Sequence, residues 1–161
     1  MKLLHLLKSS VILISISGTF NAFSQTLVST DFVDLKNTRP TDWQTYLDDN
    51  SVKIDFILAD CDPEMGYDNQ SILFRVENKT AQNIELKWHS NLYYDGECKT
   101  CDYDYEHVSV FNLSPNELLE GDCSMYADRN LKFFVRFNDV NYQKGSVLTG
   151  FELGNLTIEQ H

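Results

Sequence analysis

Residues 84–94 read IELKWHSNLYY, and their alternation decides the fold. Ile84, Leu86, Trp88, Leu92 and Tyr94 share one parity, broken only by Ser90, while Glu85, Lys87, His89 and Asn91 share the other. Successive side chains of a strand point to opposite faces, so this run is a strand with one buried side. His89, out of phase with the apolar set, is expected on a sheet surface or in solvent.

The same period recurs along the chain. Val52, Ile54, Phe56 and Leu58 alternate with Lys53 and Asp55, and Ile72, Phe74 and Val76 with Arg75 and Glu77. Further runs cover His107 to Leu113, Leu118 to Cys123, Leu131 to Phe137 and Val147 to Ile158. In the last, the apolar parity switches between Leu153 and Leu156, so a bulge or bend is expected at Gly154-Asn155. Few windows of helix length are amphipathic, and there is no internal repeat. Turn residues such as Pro63 with Gly66, Asp95-Gly96 and Ser114-Pro115-Asn116 separate the runs. Seven strands so punctuated, lettered A to G, predict an all-β fold: a seven-stranded antiparallel immunoglobulin-like β-sandwich over residues 51–161. An open barrel is the alternative. Phe74, Trp88, Phe133 and Phe137 are its expected core aromatics. Residues 25–50 form a short, less regular N-terminal extension; either Thr41-Asp42 caps one or two helical turns carrying Trp43, Tyr46 and Leu47, or the segment is an edge strand.

Residues 1–24 have the make-up of a signal peptide: Lys2 and Lys8 without an acid, an apolar run from Val11 to Ile16, and small residues Ala22 and Ser24 before a cleavage point at Gln25. The run is well short of the roughly 20 residues of a spanning helix. The expected location is therefore secreted or periplasmic, with no transmembrane segment in the mature chain. The full chain has 161 residues and a formal charge of −11. Removing 24 of them, Lys2 and Lys8 included, leaves 137 with eleven basic residues against 24 acidic, a formal −13. Such an excess argues against nucleic acid, whose phosphates would be repelled, and permits a basic partner or a divalent cation.

If every strand reverses direction, connections A–B, C–D and E–F fall at one pole and B–C, D–E and F–G at the other. Cys61, Cys98, Cys101 and Cys123 then meet at the first pole. Four cysteines in a small exported chain read as two disulfides, with three possible pairings; Cys98–Cys101 with Cys61–Cys123 is favoured. A zinc site has only one C-x-x-C to draw on. A thiol oxidoreductase through Cys98 and Cys101 is disfavoured by flanking Glu97, Asp102 and Asp104, because anions raise a thiol pKa. The same pole collects Asp60 and Asp62 in DCDPE and Asp102 and Asp104 in DYDYE. Their alternating carboxylates are a candidate calcium site without EF-hand spacing; solvated loop acids are the simpler reading, so no other cofactor is expected.

Tyr93, Tyr94, Asp95, Tyr103 and Tyr105 surround the cysteine loop as candidate binding residues, since tyrosine supplies ring area and a hydroxyl together. No nucleophile with a base carries a recognisable local signature, and no glycine-rich phosphate loop occurs. Asn69, Asn78, Asn112 and Asn155 lie in N-x-[ST] sequons, which mark surface only in a eukaryotic exporter. The expected function is an exported, non-catalytic binding or structural module that presents an acidic, disulfide-stapled pole to a protein or glycan outside the cytoplasm. The alternatives are an inhibitor or immunity-type protein masking a basic enzyme, a calcium-binding module, and the oxidoreductase.

The stretches SILFRVENKT, NLYYDGECKTC, NLSPNE, EGDC, LKFFVRF and FELGNLTI, with Cys61, Trp88 and the leader ending AFSQ, resemble small secreted β-sandwich proteins of Bacteroidota. The resemblance spans roughly Trp43 to Ile158 and implies an exported sandwich. It implies no activity and assigns no residue a role.

Overall fold

A computed structural model describes residues 25–62, 64, 68–102, 105–139 and 145–161. Residues 1–24, expected to be a signal peptide, and Tyr103 and Asp104 lie outside the described residues. Eleven strands occur among those described: β1 (Gln25–Leu27), β2 (Val33–Asp34), β3 (Gln44–Asp48), β4 (Val52–Cys61), β5 (Asn69–Asn78), β6 (Ile84–Tyr94), β7 (Glu97–Cys98), β8 (Val108–Leu113), β9 (Leu118–Glu120), β10 (Lys132–Phe137) and β11 (Leu148–Gln160). The seven alternating runs are β4, β5, β6, β8, β9, β10 and β11. The other four are too short or too exposed to show a burial period. Residues 25–50 carry three of them and no helix; Tyr46 and Leu47 belong to edge strand β3.

All pairings are antiparallel, in two sheets. In one, β5 lies between β4 and the successive strands β9 and β10, with β3 beyond β4. In the other, β6 lies between β11 and the successive strands β7 and β8, with β1 and β2 on the far edge of β11. By letter, A, B, E and F share one sheet and C, D and G the other, whereas the immunoglobulin arrangement groups A, B, E and D against C, F and G.

Strict reversal of direction fails at one place. β9 pairs with Arg75–Glu77 and β10 with Asn69–Leu73. Both run antiparallel to the same strand, so E and F point the same way, in line. The F–G connection therefore joins the cysteine pole instead of opposing it, as Cys61 and Phe137 both pairing with Asn69 makes plain.

The apolar faces meet between the sheets. Val52, Ile54, Phe56, Ile72, Phe74 and Val76 pack against Ile84, Leu86, Trp88, Leu153, Leu156 and Ile158, all buried. Phe151 sits at the centre of an aromatic cluster, its ring 5.3 Å from that of Phe56, 5.4 Å from Phe74 and 5.8 Å from Phe133. Trp88 packs 4.6 Å from Phe111, and its indole N–H is buried without an acceptor among the described groups.

Two irregularities re-aim side chains. The β6–β11 register shifts between Gly154 and Thr157, with Asn155 at φ 51°, and this lets Leu153 and Leu156 both face the core. The β5–β10 register shifts between Phe134 and Arg136. The expected core position of Phe137 is overturned there: the extra residue puts it on the face of Phe134, whose ring lies 4.8 Å away, and it is 46% exposed.

Candidate functional site

Two loops at the cysteine pole are held by covalent ties. The first leaves β6 through Asp95-Gly96, both at positive φ (54° and 89°), a two-residue hairpin turn that favours glycine at its second position. After β7 the chain returns to the edge of β6 twice. The Lys99 amide donates to the Leu92 carbonyl at 2.8 Å, and the Thr100 hydroxyl donates to the Ser90 carbonyl at 2.6 Å while accepting from the Leu92 amide. The Ser90 amide then donates to the His107 carbonyl at 2.9 Å. Both feet of the loop thus stand on Ser90 and Leu92 of β6. The Cys98–Cys101 disulfide, with Cα atoms 5.8 Å apart, closes the base. The second loop follows β9 and is tied by Cys61–Cys123, whose Cα atoms are 5.3 Å apart.

The candidate tyrosines divide by environment. Tyr105 is 98% exposed on the first loop. Tyr93 is half-buried, with the Phe32 ring edge-on at 4.9 Å and its hydroxyl 3.8 Å from the Cys101 sulfur. A β-carbon at Gly150 would collide with that same Phe32 ring, so the glycine makes room for it. Tyr94 turns inward and donates to the Phe134 carbonyl at 2.7 Å; burial pushes its pKa up to about 12. Asp95 joins the hairpin to the β10–β11 connection: its amide donates to the Val147 carbonyl and its carboxylate accepts from the Val147 amide. That bond, with one from Ser146, holds its pKa below the usual carboxylate range.

Tyr126, 96% exposed on the second loop, was not among the sequence candidates. The signal lay in CSMYAD, where an aromatic follows a cysteine as Tyr105 does. Of the calcium candidates, Asp60, Asp62 and Asp102 are exposed, and Asp62 accepts from the Glu64 amide at 2.8 Å. No three metal-ligating side chains of His, Cys, Asp or Glu converge among the described residues. Among the sequon asparagines, Asn78 is fully buried and donates to the Gln82, Leu113 and Ser114 carbonyls, closing the opposite pole.

Two cavities adjoin the first loop. On the outer face of the β6–β11 sheet, a cleft of about 460 Å³ is lined by Lys87, His89, Tyr105, Asn155 and Thr157. His89 is on the sheet surface as its parity requires, yet only 7% exposed. Its Nδ1 lies 2.8 Å from Asn91 Oδ1, while Asn91 Nδ2 donates to Glu152 Oε2 at 3.1 Å. The carboxylate fixes which way the amide points, so Nδ1 carries the proton and the neutral ring's lone pair is at Nε2. The arrangement orients an imidazole in the cleft.

The second cavity, about 400 Å³, opens sideways between the sheets, where the free edge of β10 faces β6 and β8. Ser90 and Ser109 contribute from inward-facing positions, with Arg129, Asn130 and Lys132 on the other side. No known protein family, curated protein or solved structure matches the chain.

Proposed function

We propose that the chain is an exported, non-catalytic binding module whose partner, a protein or glycan outside the cytoplasm, is met by the two disulfide-tied loops. The observation that carries this reading is the near-complete exposure of Tyr105 and Tyr126 on loops whose bases are fixed. Water gains nothing from an aromatic ring held in it, whereas tyrosines dominate binding hot spots. A tied loop also loses less conformational freedom on association. The immunoglobulin-like assignment belongs to the same reading, since such sandwiches gather binding loops at one end.

A cross-linked pull-down of the mature protein from its own exported fraction, compared with Tyr105→Ala and Tyr126→Ala, tests it. Each substitution is expected to weaken capture by about tenfold or more, the scale of a hot-spot loss, with unfolding temperature unchanged. Undiminished capture by both variants would sink the reading.

The acids beside these tyrosines, exposed Asp102, Glu106, Asp122 and Asp128, favour a basic protein as the partner, in the manner of an inhibitor or immunity protein. Charge complementarity of that kind speeds association and is screened by salt. An association rate that does not fall between low and physiological salt would remove it.

A further inference from the structure

The sideways cavity between the sheets combines buried hydroxyls with cationic side chains. A sandwich interior is lined by the apolar parity of its strands, and β6 and β8 obey this except at Ser90 and Ser109. Both serines are about nineteen-twentieths buried, and both line the cavity. The Ser109 hydroxyl reaches Asn130 Oδ1 at 3.3 Å. The Ser90 side chain enters the cavity from the buried parity of β6. Hydroxyls on a cavity wall pair with whatever polar group occupies the space they face, so the wall favours a polar occupant.

The opposite wall brings positive charge. Arg129, on the 3-10 turn Arg129–Leu131, makes no hydrogen bond or ion pair with any described group. Lys132 follows it; burial lowers its pKa, with Asp122 opposing. Two cations within four residues thus line one cavity of an acidic chain. A free anion is repelled by the surface as a whole, so what attracts it here is the specific pair. Phe134 adds a ring surface beside these polar groups. About 400 Å³ lies within the ordinary range of small-molecule sites.

We propose that this cavity binds a single sugar unit bearing a carboxylate, with Arg129 and Lys132 on the carboxylate, Ser90, Ser109 and Asn130 on ring hydroxyls, and Phe134 against the C–H face. Hydroxyl donors and acceptors on one wall and cations on the other match a polyol acid; a simple carboxylate leaves the serines unused, and a neutral sugar leaves the guanidinium unused. Neither Tyr105 nor Tyr126 lines the site, so either reading can fail without the other.

The test is an amide-resolved NMR titration of the mature, oxidised protein with D-glucuronate, alongside D-glucose and acetate, repeated on Arg129→Gln and Ser90→Ala. Arg129 is exposed and bonded to nothing described, so its replacement leaves the fold intact. Glucuronate is expected to give saturable shifts at Ser90, Ser109 and Asn130 with a Kd on the order of 1 mM, weakened about tenfold in Arg129→Gln and severalfold in Ser90→Ala, and both comparators to bind at least tenfold more weakly. Absence of saturable shifts, equal affinity in Arg129→Gln, or acetate or glucose binding as tightly as glucuronate would each overturn the proposal.

Discussion

Replacing Cys61 and Cys123 together by alanine should destabilise the protein far more than replacing Cys98 and Cys101. The first bond joins residues 62 apart in sequence, the second residues 3 apart. A cross-link stabilises by removing loop-closure entropy from the unfolded chain, and the logarithmic dependence on loop length gives about 4 kcal/mol for the long tie and about 2 kcal/mol for the short one. The long tie has a further role. It holds residues 121–128 beside Asn69 and Ser71, both buried, where Ser124, Met125 and Arg129 form the wall of a cavity of about 250 Å³. Releasing it admits water to that floor and adds to the loss. With a urea slope of about 2 kcal/mol per molar for a chain of this size, the midpoint should fall by about 2 M in the first double variant and by about 1 M or less in the second. Urea unfolding followed by fluorescence of buried Trp88 measures both. Equal falls, or a larger fall for Cys98 and Cys101, would refute the argument and make the short bond the structural one.

Three further outcomes follow from groups on the two sheets. Asp55 is 2% exposed and receives Arg75 at 2.6 Å, Thr45 at 2.9 Å and Lys53 at 3.0 Å; burial by itself raises its pKa, but these three bonds outweigh burial and hold it below its usual value. A depressed carboxylate stabilises the fold above its unfolded pKa of about 3.9 and loses that contribution as pH falls through the folded value. Asp55→Asn should therefore cost about 2 kcal/mol at neutral pH, the low side for a buried pair because Arg75 and Lys53 are nearly a third exposed, and urea midpoints of the two proteins should converge in acid; parallel pH profiles would contradict this. Tyr94→Phe removes the bond to the Phe134 carbonyl and should cost about 1 kcal/mol. In the parent, stability should decline from pH 10 toward 12, because the unfolded tyrosine ionises before the folded one, and the variant should show a shallower slope, with buried Tyr46 supplying what remains. Nitrogen NMR of His89 should find the Nδ1–H tautomer in the neutral ring, and Asn91→Ala should return it to a mixture; an Nε2–H ring in the parent would show that the Glu152–Asn91–His89 chain is misassigned.

Strand identity was legible because burial alternation is local. Within 84–94 a strand with one wet face announces itself whatever lies across from it. The disulfide partners were legible to a degree, since short connections confine Cys98 and Cys101 to one loop. Partnership between strands was not. Alternation says that β10 has a buried face; it does not say that β9 and β10 lie end to end along β5, and so it sent the F–G connection to the wrong pole. Phe137 failed for a related reason, because the bulge that turns it out exists only in the β5–β10 register. Asp95 and Tyr94 carry the residue types of a binding loop, yet their hydrogen bonds go to Val147 and Phe134, more than forty residues away or close to it in the chain.

Ser90 draws the line most sharply. As a letter in IELKWHSNLYY it is a break in an apolar parity, and the local pattern can report only that break. It became one wall of a cavity when residues 129–134, some forty positions on, came to lie opposite as the free edge of a strand. Side-chain period depends on neighbours one and two residues away and can be read along the chain; a site assembled across two sheets depends on which edges meet, and long-range packing alone sets that.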